Sequence, residues 1–230
     1  MIPRSIRAIT WLAALAVVVA CSPAPGASPS AAAPSQAAPS QAAPSQAAPS
    51  GSAAAGSCPS SEPAALPAGE TRSVTIETSK GTITLGLQAD LSPIAVGNFV
   101  ALAECGFYEG VVFHRLVPCF VIQGGDPDGT GTGGPGYTIK DEPVTTPYHR
   151  GTVAMARTSQ PDSVGSQFFI VLDDAARGAL AEANTYQIIG EVTAGMDVVD
   201  AIAAMPNSGE ATGNQALEPL PMTRITVANP

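Results

Sequence analysis

Residues 111–126, Val-Val-Phe-His-Arg-Leu-Val-Pro-Cys-Phe-Val-Ile-Gln-Gly-Gly-Asp, constrain the fold of this chain more than any other stretch. Two apolar runs, 111–117 and 120–122, read as strands that meet at a Pro118-Cys119 turn, and the Gly124-Gly125-Asp126 signal ends the second. Side chains alternate along a strand. His114 and Arg115 therefore fall on opposite faces, and Arg115 shares its face with Val111, Phe113 and Val117. A guanidinium on an apolar face is costly unless it serves a ligand or a buried partner. Phe120 and Gln123 follow closely enough for a guanidinium, an aromatic ring and an amide to line one shallow site. The plainer alternative is a snorkelling surface Arg and a Gln that merely ends a strand; spacing alone does not separate the two.

The first third of the chain leaves that strand pair to find its core elsewhere. Arg4 and Arg7 form a short positive region, and Ile9 to Ala20 form an apolar run too short to span a bilayer comfortably. The run ends Val18-Val19-Ala20-Cys21, which looks like a bacterial lipobox. This predicts a lipoprotein signal peptide over 1–21, with Cys21 lipidated as the first residue of the mature chain, in preference to an ordinary secretory signal or an uncleaved anchor. The expected location is the cell envelope, membrane-anchored on the extracytoplasmic side. The acyl chains would supply the membrane affinity, since one chain alone anchors only marginally.

Residues 22–71 read as a disordered tether. The pentad Ala-Ala-Pro-Ser-Gln repeats from Ala32 to Gln46; it offers no apolar side chain larger than Ala, and its recurring Pro blocks helix. Some 50 residues of this kind reach on the order of 40 Å if coil-like. A proline-recognising partner would find no anchoring aromatic or charge in the repeat.

Patterning changes near Arg72, and 72–230 is long enough for one domain with a real core. Val74, Ile76 and Thr78 alternate, as do Ile83, Leu85 and Leu87 across a Ser79-Lys80-Gly81 turn, which predicts a hairpin. Ser92-Pro93 reads as a cap and first helical residue of a helix to about Glu104 that stops at Gly106, with Gly97 a weak point within it. Further strands are expected near 152–156, 167–172, 186–192 and 223–227, with a second helix at about 194–204. Many short strands with two helices suggest a closed barrel. The Gly-rich loop 124–136 lacks a following Gly-Lys-Ser/Thr, so a nucleotide site is disfavoured; its glycines better suit backbone lying flat beside a bound peptide.

The string 113–126 closely resembles the signature of the cyclophilin-type peptidyl-prolyl cis-trans isomerases, Phe-His-Arg-x-x-Pro-x-Phe-x-x-Gln-Gly-Gly-Asp. Further matches follow in the family's order at Gly129–Gly134, Ala154-Met155-Ala156 and Gly165-Ser166-Gln167-Phe168-Phe169-Ile170, so the resemblance spans roughly 72–227. It implies a mainly β fold, a closed eight-stranded antiparallel β-barrel capped by two α-helices. It also implies an isomerase of Xaa-Pro bonds that assists folding of extracytoplasmic proteins, or else a non-catalytic proline-peptide-binding module of the same fold. Carried over residue by residue, the catalytic set is Arg115, Phe120 and Gln123. Val121, Phe169 and Leu180 would complete the proline pocket, and Gln167 would hold substrate backbone. Ala156-Arg157-Thr158 would pair with the peptide main chain, and Tyr186 stands where the family has a pocket His. Val121 replaces a common Met and Arg157 a common Asn. The register around 173–186 is loose, and the family's Trp is absent there.

The chemistry needs no cofactor. An Xaa-Pro bond turns over tens to hundreds of seconds because partial double-bond character sets a barrier near 20 kcal/mol. A fixed guanidinium that donates to the twisted amide stabilises it more than the planar one. A gain of about 7 kcal/mol would supply a rate factor on the order of 10⁵.

Composition closes off other classes. The net charge of −9 and the lack of a basic stretch beyond the N-terminus argue against nucleic acid. Neither the two His nor Cys105 has metal-ligand spacing, so no metal site is expected. The expected partners are proline-containing polypeptides and, through the lipid, a membrane; the expected state is a monomer. With Cys21 acylated, Cys58, Cys105 and Cys119 remain. A strand separates Cys105 from Cys119 by roughly 20 Å, which disfavours their mutual bond. Cys58 could reach either, and the pairing stays open.

Overall fold

The first hairpin buries one face of each arm. Val74, Ile76, Ile83, Leu85 and Leu87 are fully buried, and the runs that carry them pair antiparallel as β1 (Thr71–Thr78) and β2 (Gly81–Gln88). The computed structural model describes residues 57–229; the signal peptide expected at 1–21, Cys21 and the tether through residue 56 lie outside them. The helix follows as α1 (Pro93–Glu104), with Pro93 opening it and Gly106 past its end at φ +81°. Ser92 makes no side-chain cap bond. The Glu142 carboxylate takes that role instead, accepting from the N–H groups of Ile94 and Ala95 at 2.9 Å each.

The central hairpin is β3 (Val112–Val117) and β4 (Val121–Asp126). β4 runs through Gly124 and Gly125 rather than ending there. A Cβ on Gly125 would sit 2.5 Å from the Ser166 carbonyl oxygen, and one on Gly124 would sit 3.0 Å from that of Val112. These glycines mark close backbone approach, not a turn. The simple alternation expected along β3 also fails. Phe113 pairs with Gly124 and Arg115 with Gln123, leaving His114 as a bulged extra residue. The bulge resets the parity: Phe113 and Leu116 enter the main core, while Arg115 and Val117 face the other side.

The remaining elements are β5 (Thr152–Met155), β6 (Phe168–Val171), α2 (Arg177–Ala183), β7 (Ile188–Ala194), α3 (Met196–Ala203), β8 (Gln215–Pro221) and β9 (Arg224–Ala228). All ladders are antiparallel, and the strands form one nine-stranded sheet in the order β8-β3-β4-β6-β5-β7-β2-β1-β9. The expected closed eight-stranded barrel with two helices is therefore corrected to an open half-barrel with, among the described residues, nine strands and three α-helices. Closure would need a ladder between the edge strands β8 and β9. Only Met222 and Thr223 join them, and these bond elsewhere, Met222 N–H to Val111 and Thr223 N–H to Glu77. Pro219 and Pro221 further deprive β8 of donors.

Side chains on the two faces of the sheet sort into two cores. Phe99, Tyr108, Phe113, Ile122 and Phe168 belong to the larger one, which α1 and α3 cover. Val121, Tyr148, Phe169, Leu180 and Ile188 form the smaller one. Residues 57–70, within the stretch read as tether, lie against the domain. Cys58 is disulfide-bonded to Cys105 at the end of α1. Leu66 N–H donates to the Pro93 carbonyl at 2.9 Å, and the Ala64 oxygen lies 2.4 Å from where a Cβ on Gly97 would sit.

Candidate active site

Cross-strand register gathers the site from distant parts of the chain. Gln215, Arg115, Gln123, Phe169, Ala154 and Ile188 follow one another as paired residues across β8, β3, β4, β6, β5 and β7. Two of these six, Arg115 and Gln123, interlock through their polar heads, and Gln167 beside them on the chain leading into β6 extends the relay. The Arg115 Nη1 donates to Gln123 Oε1 at 3.2 Å, and Gln123 Nε2 donates to Gln167 Oε1 at 2.9 Å. Gln167 Nε2 in turn donates to the Gly133 carbonyl at 2.9 Å. From the other side, Arg115 Nε donates to the Gly213 carbonyl at 3.2 Å. The guanidinium is thus gripped twice, and Nη2 donates to none of the described residues.

Beside it lies a cavity of about 190 Å³ lined by Phe120, Val121, Phe169, Leu180 and Tyr186 together with Arg115, Gln123, Ala156 and Arg157. A larger cavity of about 610 Å³ adjoins it across Gln123, Ala156 and Arg157, and there Thr158 and Gln167 line the wall. Every residue singled out from the sequence for this site therefore lines one cavity or both. Arg157 is held low: its Nη1 pairs with Asp141 at 2.9 Å, and its Nε and Nη2 donate to the Thr158 and Gln160 carbonyls.

Residues outside the sequence-derived set shape the walls. The ring of Tyr186 meets that of Phe169 edge-on, centroids 5.4 Å apart. The fully buried Tyr148 fixes this contact, its hydroxyl donating to the Tyr186 carbonyl and accepting from the Tyr186 N–H. Burial raises the Tyr148 phenol to about 12, so it stays a neutral donor. No sequence signal marks Tyr148. Leu180 arrives on α2, a seven-residue helix closed by Asn184 at φ +42°. Gly213 and Asn214, both at positive φ, turn the chain onto Arg115; a Gly-Asn pair was the available hint of a turn there.

Behind Arg115, His114 is 1 % exposed and neither ring nitrogen has a hydrogen-bond partner among the described residues. Burial pushes its pKa below the ordinary value, outweighing the nearby Asp126 carboxylate. Burial alone would raise Asp126, but N–H groups of Asp128, Gly133 and Gly131 outweigh it and hold the carboxyl below its usual range. Among the described residues, no three His, Cys, Asp or Glu are grouped to hold a metal.

A twice-held guanidinium thus stands beside an aromatic-walled cavity on an open antiparallel half-barrel. The family model described as cyclophilin type peptidyl-prolyl cis-trans isomerase/CLD matches residues 73–227. The chain belongs to this family and is a peptidyl-prolyl cis-trans isomerase. It is 39% identical over 148 residues to a peptidyl-prolyl cis-trans isomerase of Helicobacter pylori strain J99, covering 60% of this chain and 90% of that one. It is 44% identical over 117 residues to peptidyl-prolyl cis-trans isomerase B of Bacillus subtilis, covering 50% and 78%. A cyclophilin type isomerase of Cryptosporidium parvum superposes with a TM-score of 0.61 at 29% identity, over 70% of this chain and 99% of that one. The same parasite protein, solved in the presence of the dipeptide Ala-Pro, gives 0.60 at 30%, over 69% and 99%.

Proposed function

We propose that this domain accelerates rotation about Xaa-Pro bonds of extracytoplasmic proteins by stabilising the twisted amide without covalent chemistry. The observation that carries the reading is the placement of Arg115, held by Gln123 and Gly213 in the wall of the cavity that Phe120 and Phe169 also line. The five-membered ring of a proline fills that cavity through apolar contact with Phe120, Val121, Phe169 and Leu180. Rotation frees the lone pair of the prolyl nitrogen, and a guanidinium already oriented can donate to it without first reorganising. Gln123 and Gln167 offer amides to substrate backbone, and the 156–158 segment presents its main chain alongside.

The envelope location rests on the sequence before Cys21 and draws support from the Cys58–Cys105 disulfide, since such bonds persist in oxidising compartments. Lipidation at Cys21 predicts incorporation of labelled fatty acid that a Cys21→Ala variant loses. The catalytic reading is tested by isomerisation of an Xaa-Pro peptide with the purified protein and its Arg115→Ala variant. Acceleration that disappears with Arg115 supports the mechanism; equal rates from two folded proteins would overturn it.

A further inference from the structure

α1 lies outside both cavities, yet one of its side chains reaches the larger one from behind. Asn98 is fully buried. Its Nδ2 donates to the Gly165 carbonyl at 2.8 Å, and its Oδ1 accepts from the Tyr137 hydroxyl at 2.7 Å. Gly165 and Tyr137 both line the 610 Å³ cavity, and they belong to two separate segments of its wall. A backbone bond from Ile139 N–H to the Val164 carbonyl, 2.9 Å, joins the same two segments, two residues past Tyr137 and one before Gly165. The Asn98 amide thus spends one donor and its acceptor on two pieces of one wall.

α1 itself is fixed against movement at both ends and in the middle. Glu142 holds its first N–H groups, Cys58 is bonded to Cys105 at its end, and the 64–66 backbone packs on Gly97, the neighbour of Asn98. An amide on so firm a base can impose a position on the wall it holds. A buried amide has no cheaper arrangement than keeping both bonds, since an unmatched polar group is penalised there.

We propose that Asn98 is a positioning residue for substrate selection, its buried amide setting the shape of the larger cavity and so its discrimination among residues flanking the proline. This rests on the isomerase reading above, because it assigns the second cavity to the same peptide. The amide touches no substrate; it acts through Tyr137 and Gly165.

The test uses peptides that share one Xaa-Pro core and differ at a single flanking residue, Ala, Leu, Phe or Lys, varied on each side in turn. For the whole protein, its Asn98→Ala variant and its Tyr137→Phe variant, kcat and KM are measured for every peptide. Removing the bridge is expected to narrow the spread of kcat/KM across the set by about 5-fold, carried by KM. Tyr137→Phe leaves the bond to Gly165 and should narrow it less, in the same direction. A substitution that merely reduces the folded fraction lowers kcat by one factor for every peptide and leaves the spread intact. An unchanged spread in both folded variants would overturn the proposal. If the unsubstituted protein shows no turnover, the isomerase mechanism falls, and dissociation constants for the same peptides from NMR titration decide the role of Asn98.

Discussion

Arg115 and Gln123 are direct partners across the β3–β4 ladder, and their side chains meet again above it, Nη1 to Oε1 at 3.2 Å. Backbone pairing and side-chain bond therefore specify the same geometry. Gln123→Leu should release one of the two grips and lower kcat/KM about 10-fold, against about 10²–10³-fold for Arg115→Ala. Because Gln123 also donates to Gln167, the Gln123→Leu and Gln167→Leu effects should not add. A double-mutant cycle is expected to show a coupling of at least about 0.5 kcal/mol, and strict additivity would mean that the relay is idle.

Tyr148 offers a test of the opposite wall. Tyr148→Phe keeps the ring and removes the oxygen that serves the Tyr186 N–H and carbonyl. Loss of that partner should reduce stability by about 1–3 kcal/mol, read from urea unfolding. The freed Tyr186 ring should raise KM more than it lowers kcat. An unaltered unfolding midpoint would show that water replaces the hydroxyl.

Acid should unfold this protein in two stages of the same sign. His114 has a folded pKa below its unfolded one, so the unfolded chain takes up the proton first. Its stabilisation is complete above about pH 6.5 and is lost as pH falls below that, at up to about 1.4 kcal/mol per unit until the folded pKa is reached. Asp126, also depressed when folded, withdraws its contribution lower, beneath the ordinary carboxylate range. A His114→Gln variant should flatten the upper stage alone. If its stability still falls with the parent slope between pH 6.5 and 5, another group governs that range.

The segment over α1 makes a steric prediction. Gly97→Ala would raise helix propensity on an isolated helix, but here the new Cβ meets the Ala64 carbonyl oxygen. A net destabilisation of about 1–3 kcal/mol is expected. Cys58→Ser with Cys105→Ser opens a loop of 47 residues' separation and should lower stability by about 4 kcal/mol on the chain-entropy account. In that background Gly97→Ala should do less harm, since the displaced segment can leave. Equal penalties in both backgrounds would place the strain elsewhere.

Local pattern made much of this fold legible. The alternation of Val74, Ile76, Ile83 and Leu85 places the first hairpin, and Ser92-Pro93 with Gly106 brackets α1. What escaped has physical reasons. β8 holds two prolines and only one buried apolar residue, Leu220, so no alternation betrays it. α2 lacks both a side-chain cap and an apolar stripe, with Leu180 its single buried residue. The bulge at His114 cannot be read from β3 alone, because it depends on which residues β4 offers as partners. Gly97 looks like a flaw in a helix until the 64–66 backbone is seen to occupy the missing side chain's place. The cavity-lining residues were named through the family resemblance, which short strings along the chain carry, and the strand register shows why those strings converge.

The Cys58–Cys105 bond also has a mechanical meaning. Tension applied to the chain ahead of Cys58 passes directly through sulfur into the end of α1. Residues 59–104, with β1 and β2 among them, form a closed covalent ring that such a pull cannot lengthen. The hairpin that opens the domain is consequently shielded from being peeled away strand by strand, and yielding must begin beyond residue 105.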